Sequence, residues 1–416
     1  MQRTLCTTLA TLLSTPLFAA SLLTYSMPGG SQPVSWPATS FPIHFQVEKR
    51  VTDVIPNGAA VVDRAFNEWS SIPQASVSFV DDGVIAQPSA GKDGRNTVSI
   101  AEDLFANQNY IAVTTNWWDD SGHMLEADIQ IDSSVQSNGY NVQQVVAHEA
   151  GHFLGLDHSA VLSSVMFPYV ASGANVPLDS DESVAIATIY PRTDPTFSSA
   201  TMSGRVVGDQ GGIFAAQVVA ADSHGTPIAS ALTDENGEFI IRGLPAGTYR
   251  LYAEPLDGPV EAANLAGIYH NAKNKDFPTQ FLPAMQVENG KVYGNLVLNA
   301  SGVARLNPMW IGTCAQNGVD VSLNSKSVLV RGGQTVTIAV AGDGFISGMT
   351  TFAVMNPGFK RVSDFKYAGN YVSATFTIDP LVTGGAATIL VSNSPTEQAT
   401  LTGGVRIEGP KRRRAG

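Results

Sequence analysis

The chain has 416 residues, of which 44% are apolar and only 14% charged, with 39 Gly and 23 Pro. That length exceeds one compact core and calls for roughly two to four domains, and the balance suits β-rich, turn-rich modules better than a helical cytosolic protein. A formal net charge of −12 argues against a nucleic-acid-binding surface.

The N-terminus reads "MQRTLCTTLATLLSTPLFAA", with Arg3 before a Leu-rich apolar run and small residues at Ala19 and Ala20. This is the architecture of a secretory signal, expected over residues 1–20, and it is too short for a mature membrane anchor. No other apolar run reaches spanning length, so the expectation is a secreted chain, extracellular or periplasmic, with no stable membrane span. Cys6 falls inside the leader, which leaves Cys314 as a lone thiol without an intrachain partner. Stability must then come from packing or from bound metal.

Residues 34–192 carry the helical patterns. "VVDRAFNEWSSI" predicts a helix with Val61, Ala65, Phe66 and Trp69 on one face. "NTVSI" and "LEADIQID" alternate as strands. Helical spacing returns in "NVQQVVAHEAGHFLGL" through Val142, Val145, Val146 and Phe153. "SDESVAIATIY" predicts a closing helix with Ser180 as its N-cap. Mixed strands and helices imply an α+β domain. "PRTDPTFSSA" reads as a linker, and beyond it helical periodicity almost disappears.

From 200 to 300, short alternating runs are divided by "DENG" and "LPAG" turns, which indicates an antiparallel sandwich. The stretch "TDENGEFIIRGLPAGTYRLYAEP" resembles the carboxypeptidase-regulatory-like, transthyretin-like β-sandwiches of exported proteins. From 303 to 409, "VLVRGGQTVTIAVAGDGF", "VSATFTIDP" and "GGAATILVSNS" resemble an immunoglobulin-like sandwich. Glycan or protein surfaces are the partners to expect of such modules. The run "KRRR" in the 410–416 tail reads as a solvated end.

One stretch carries chemistry: "HEAGHFLGLDH", residues 148–158. His148 and His152 stand one helical turn apart on one face, so both imidazoles can reach a single ion. Glu149 projects beside them without needing to bind the metal. Gly155 lets the chain leave the helix, so that His158 can approach from another side. The bare H-E-x-x-H pattern arises by chance in on the order of one in a hundred proteins of this size; adding the Gly and the third His makes chance about a thousandfold rarer.

The full stretch matches the HExxHxxGxxH signature of the metzincin metallopeptidases, and Ser159 after His158 makes it look most like the matrixin branch. "SSVMFPY" resembles the family's Met-turn, which would make Met166 an apolar floor beneath the metal and let Pro168 and Tyr169 wall the substrate pocket. The resemblance implies one catalytic Zn²⁺ held by His148, His152 and His158, and a zinc-bound water activated by Glu149 to hydrolyse peptide bonds in proteins. Its fold would be a twisted sheet with an active-site helix, ahead of two all-β sandwiches. No cysteine stands between leader and catalytic domain to cap the zinc, and with only His123 near the strand at Leu125 a second zinc is not expected. Asp119, Asp120, Asp128 and Asp132 are candidate calcium ligands, against the plainer reading of solvated turn acids. The rival reading is a secreted surface-binding or adhesion protein with a non-proteolytic metal domain, but a purely structural site has no use for Glu149.

Overall fold

The computed structural model describes residues 22–409 apart from 28–29, 89–90, 105, 107–109, 171–175, 195–197, 274, 303 and 315–320. The expected leader over 1–20 and the basic tail over 410–416 lie outside the described residues. Among the described residues, no helix is long and apolar enough to cross a membrane.

The first module opens with a hairpin, β1 (Thr24–Met27) and β2 (Gly30–Pro33). Then come β3 (Ile43–Glu48), α1 (Lys49–Val54), α2 (Gly58–Ser70), β4 (Phe79–Ile85), β5 (Thr97–Ala101), β6 (Ala112–Trp118), β7 (Met124–Asp132), α3 (Val142–Phe153) and α4 (Ser180–Ile189). The sheet order is β4-β3-β5-β7-β6; the first four strands run parallel, and β6 closes one edge antiparallel to β7. Period-two alternation builds β3, whose Ile43, Phe45 and Val47 are buried.

On α2 the buried stripe is Val62, Ala65, Phe66 and Trp69, and Val61 is only half-buried. The expected face is therefore off by one valine. Val62 stands at i to the i+3, i+4 and i+7 of the other three, which is the helical stripe, whereas Val61 lies about 100° round from it. Phe66 stacks on Phe45 at 4.3 Å and meets Phe153 of α3 edge-on at 5.3 Å, which locks α3 to both helix and sheet. The N-cap of α4 is Asp179, not Ser180. Its carboxylate accepts from the Asp181 N–H while Glu182 reaches back to the Asp179 N–H, a complete capping box that leaves Ser180 as the first helical residue.

Two sandwiches follow. In the second module one sheet is built around Gln217–Asp222 and Gly247–Glu254, the other around Ala200–Gly208. The third module pairs a sheet around Thr335–Asp343 with one around Glu397–Glu408. The second is not purely antiparallel as its turn pattern suggested, and the third also carries a parallel pair. Val292–Asn299 lies parallel to Ala200–Gly208, and Val328–Arg331 parallel to Glu397–Glu408. Hairpin turns dictate direction only between consecutive strands; these partners are remote in sequence, so turn chemistry carries no signal about them.

The modules meet through buried polar groups. Asp181 accepts from Ser159 Oγ of its own module at 2.8 Å and from Ser230 N and Oγ of the second at 2.8 and 2.9 Å. Glu254 of the second module accepts from the Thr400 and Thr402 hydroxyls of the third. Leu162 N–H donates to the Thr402 carbonyl at 3.0 Å, and Leu162 and Phe167 join the apolar core of the third module.

Candidate metal centre

Helix α3 presents the centre. Asn141 caps its start, and every residue from Val142 to Phe153 except Gln143 and His152 is buried. Its carbonyls are anchored by side chains from around the module: Trp69 Nε1 donates to Ala147 O (2.9 Å), Asn116 Nδ2 to His152 O (3.1 Å), and Trp36 Nε1 to Phe153 O (2.7 Å). Tyr190 Oη, at the end of α4, donates to Leu154 O at 2.7 Å. The Phe153 and Leu154 carbonyls are ones that the helix end otherwise leaves open.

The helix stops as the glycine requires. Gly155 N–H donates to His152 O and Leu156 N–H to Gly151 O, the two bonds of a Schellman motif, with Gly155 at φ +94°. A Cβ there would also meet Val34 O at 2.3 Å. Beyond it His158 turns back, and the three imidazole centroids lie 4.8 to 5.3 Å apart. Among the described residues, His148, His152 and His158 are the one group of three potential ligands close enough to share an ion.

Each ring is held by its Nδ1. His148 Nδ1 meets Val165 O at 2.7 Å, His152 Nδ1 meets Leu156 O at 2.8 Å, and His158 Nδ1 meets Asn264 O at 2.5 Å. A carbonyl only accepts, so each Nδ1 carries the proton and each Nε2 a lone pair. His148 Nε2 and His152 Nε2 lie 3.1 Å apart, two acceptors facing each other with no proton to share. That is unfavourable unless a cation sits between them, and it is close to the about 3.3 Å separation that tetrahedral Zn–N bonds impose. Burial holds His148 down at about 3 and pushes His152 well below the usual imidazole range, so both are neutral ligands at pH 7. The donor set fits zinc.

Glu149 is also buried, and desolvation pushes its carboxyl up to about 7, partly opposed by a 2.6 Å bond from Thr114 Oγ1 on β6. Met166 lies against the same helix: a Cβ on Gly151 would meet its Sδ at 2.2 Å, so the sulfur occupies the space that a side chain at 151 would need. Ser159 N–H donates to Met166 O at 2.9 Å, which ties the turn to the third histidine. Pro168 is half-buried; Tyr169 is 44% exposed, with its hydroxyl accepting from Asn264 Nδ2 at 2.9 Å.

The acids at Asp119, Asp120, Asp128 and Asp132 do not converge as a ligand group. Asp119 caps the Ser121 and His123 N–H groups and pairs with the His123 ring at 3.3 Å; Asp128 accepts from Thr97 N. Sequence reasoning missed Thr114, Asn116 and Asn264. The alternating "AVTTNWW" could have flagged the first two as an edge strand beside the helix.

A mostly parallel sheet packed on a long helix that delivers two histidines, with a glycine turn that delivers a third, defines an α+β domain with a three-histidine metal-site geometry. Residues 36–191 match Matrixin and residues 201–258 match Carboxypeptidase regulatory-like domain. Residues 36–191 are thus a matrixin-type domain, of a family that is zinc-dependent, and a segment that matches a regulatory-like module follows. Karilysin of Tannerella forsythia is 39% identical over 70 residues, 17% of this chain and 14% of its own. Metalloendoproteinase 2-MMP of Arabidopsis thaliana is 26% identical over 190 residues, 42% of this chain and 48% of its own. Metalloendoproteinase 4-MMP of the same plant is 28% identical over 151 residues, covering 33% and 41%. The chain thus spans less than half the length of these relatives. Among solved structures, BcpA, the major pilin subunit of Bacillus cereus, covers 49% of this chain and 66% of its own at 12% identity, with a TM-score of 0.16 that carries no argument.

Proposed function

We propose that this chain is an exported zinc metalloendopeptidase that cleaves peptide bonds in proteins, with His148, His152 and His158 as ligands and Glu149 as general base. The observation that carries the reading is the set of three Nδ1-anchored imidazoles, with their Nε2 lone pairs turned to one place and a buried glutamate one residue after the first. Zinc bound there supplies a Lewis acid for the substrate carbonyl and draws the pKa of water towards neutrality. The chain's own residues do the rest. Carbonyls of Val165, Leu156 and Asn264 fix ring orientation and tautomer. Thr114 holds the Glu149 carboxylate in place, where it takes up the proton of the attacking water and passes it to the leaving amine. Pro168 and Tyr169 border the substrate side. Export rests on the residues 1–20 pattern alone.

The test is to incubate purified full chain with a denatured protein, alone, with a chelator, and with zinc restored. Cleavage that disappears with chelator and returns with zinc is the expected result; a zinc-loaded chain that cleaves nothing sinks the reading. Export is checked by expressing the chain in a bacterial host and sequencing the N-terminus of the released protein, expected near residue 21.

A further inference from the structure

Two of the three histidines lean on their own module. His148 is held by Val165 and His152 by Leu156, both within the matrixin segment. His158 is different: its Nδ1 acceptor is the carbonyl of Asn264, 106 residues downstream, in the long connection that follows the Gly247–Glu254 strand of the second module. We propose that this connection is part of the metal site, with Asn264 as the positioning residue that fixes the third ligand. The inference rests on the zinc reading above.

The turn is built to hold that carbonyl still. Ala262–Asn264 forms one 3₁₀ turn, in which the Asn264 side chain accepts the Glu261 N–H at 2.9 Å. The other end of the same amide donates to Tyr169 Oη, so one side chain braces its own turn and the border of the first module. Ala266 N–H donates to Asp157 Oδ2 at 2.7 Å, while Asp157 Oδ1 accepts the His158 N–H at 2.8 Å. Asp157 is buried, so its bonds to the connection and to the ligand's own backbone are desolvated and rigid. Just past the turn Leu265 and Tyr269 are buried, and Ile268 N–H meets Thr24 Oγ1 at 3.4 Å. The Asn264 and Asp157 bonds together tie the turn that carries the carbonyl to the backbone that carries His158. An acceptor on the far nitrogen of a ligating imidazole fixes tautomer and ring angle, and losing one typically costs about 10- to 100-fold in metal affinity.

The test compares the full chain with two variants, Asn264→Ala, which loosens the turn, and a chain in which Glu261–Gly267 is shortened to two glycines, which removes the carbonyl. Zinc affinity is read by competition with a coloured chelator, the ligand field by the visible absorption of the cobalt-substituted protein, and folding by the melting temperature of the zinc-free chain. Asn264→Ala is expected to bind zinc about 10-fold more weakly and the shortened chain about 100-fold, both with altered cobalt bands. Asn264→Ala should melt within about 2 °C of the parent when zinc-free, since it loses one half-buried bracing side chain at the surface of the turn, and excess zinc should return its proteolysis towards the parent level. Parental zinc affinity and parental cobalt bands in both variants would overturn the inference and leave the peptidase reading standing. A parent chain that binds no zinc would remove the peptidase reading itself.

Discussion

Glu149, on the metal-site helix, and Glu254, at the seam between the second and third modules, are both buried carboxyls that desolvation pushes up to about 7. Both accept from threonine hydroxyls: Glu149 from Thr114, Glu254 from Thr400 and Thr402. What separates them is what else they face. Glu149 follows the first of three converging imidazoles, whereas Glu254 binds two strand residues of a neighbouring sandwich. A raised carboxyl is therefore no signature of catalysis by itself; the neighbouring donor set decides whether the perturbation serves chemistry or cohesion.

The comparison breaks most visibly if the two glutamates are truncated. Glu254→Ala leaves two buried hydroxyls without their acceptor and should cost about 3 kcal/mol of stability, measured by denaturant unfolding, with little change in rate per folded molecule. Glu149→Ala should do the reverse: zinc content held, kcat down by at least about 10²-fold, and stability nearly unchanged. A stable, inactive Glu254→Ala or an active Glu149→Ala would erase the distinction. A smaller effect is expected of Gly151→Ala, whose methyl group must displace Met166 and press on Trp69, at about 1–3 kcal/mol.

The comparison also sharpens through pH. The folded pKa of Glu254 is raised above its ordinary value of 4.5 to about 7, so the native state holds a proton that the unfolded chain releases. Its favourable contribution is full below about pH 4.5 and fades as pH rises through 7, over a span of up to about 3 kcal/mol. Glu254→Gln, which does not titrate, should match the parent to within about 0.5 kcal/mol at pH 4 and exceed it at pH 8. A parallel pair of stability curves across that range would refute the assignment.

Much of this was legible in the residues. The fold class follows from the switch of period after residue 192, and the convergence of His148, His152 and His158 follows from helical geometry plus one glycine. Local errors were errors of one residue: Val62 rather than Val61 on the helix face, and Asp179 rather than Ser180 at the cap, where two plausible neighbours compete and only packing decides. The parallel strand pairs and the Asn264 contact were illegible for a different reason. A long-range partner that acts through its main chain leaves no residue-type signature, because every residue carries a carbonyl. Only the Glu261…Asn264 spacing hints at a braced turn, and nothing in it says what the turn faces.

The Gly155 turn has one further neighbour, the chain that flanks the β1–β2 hairpin on both sides. Leu23 N–H donates to Gly155 O, Leu22 bridges Leu156, and Val34 O sits where a Cβ on Gly155 would fall. The matrixin match begins at residue 36, so Leu22, Leu23 and Val34 shape this turn from outside that match. Recombining the chain at the borders of likeness would exchange a histidine triad while leaving behind one of the surfaces against which its glycine was fitted.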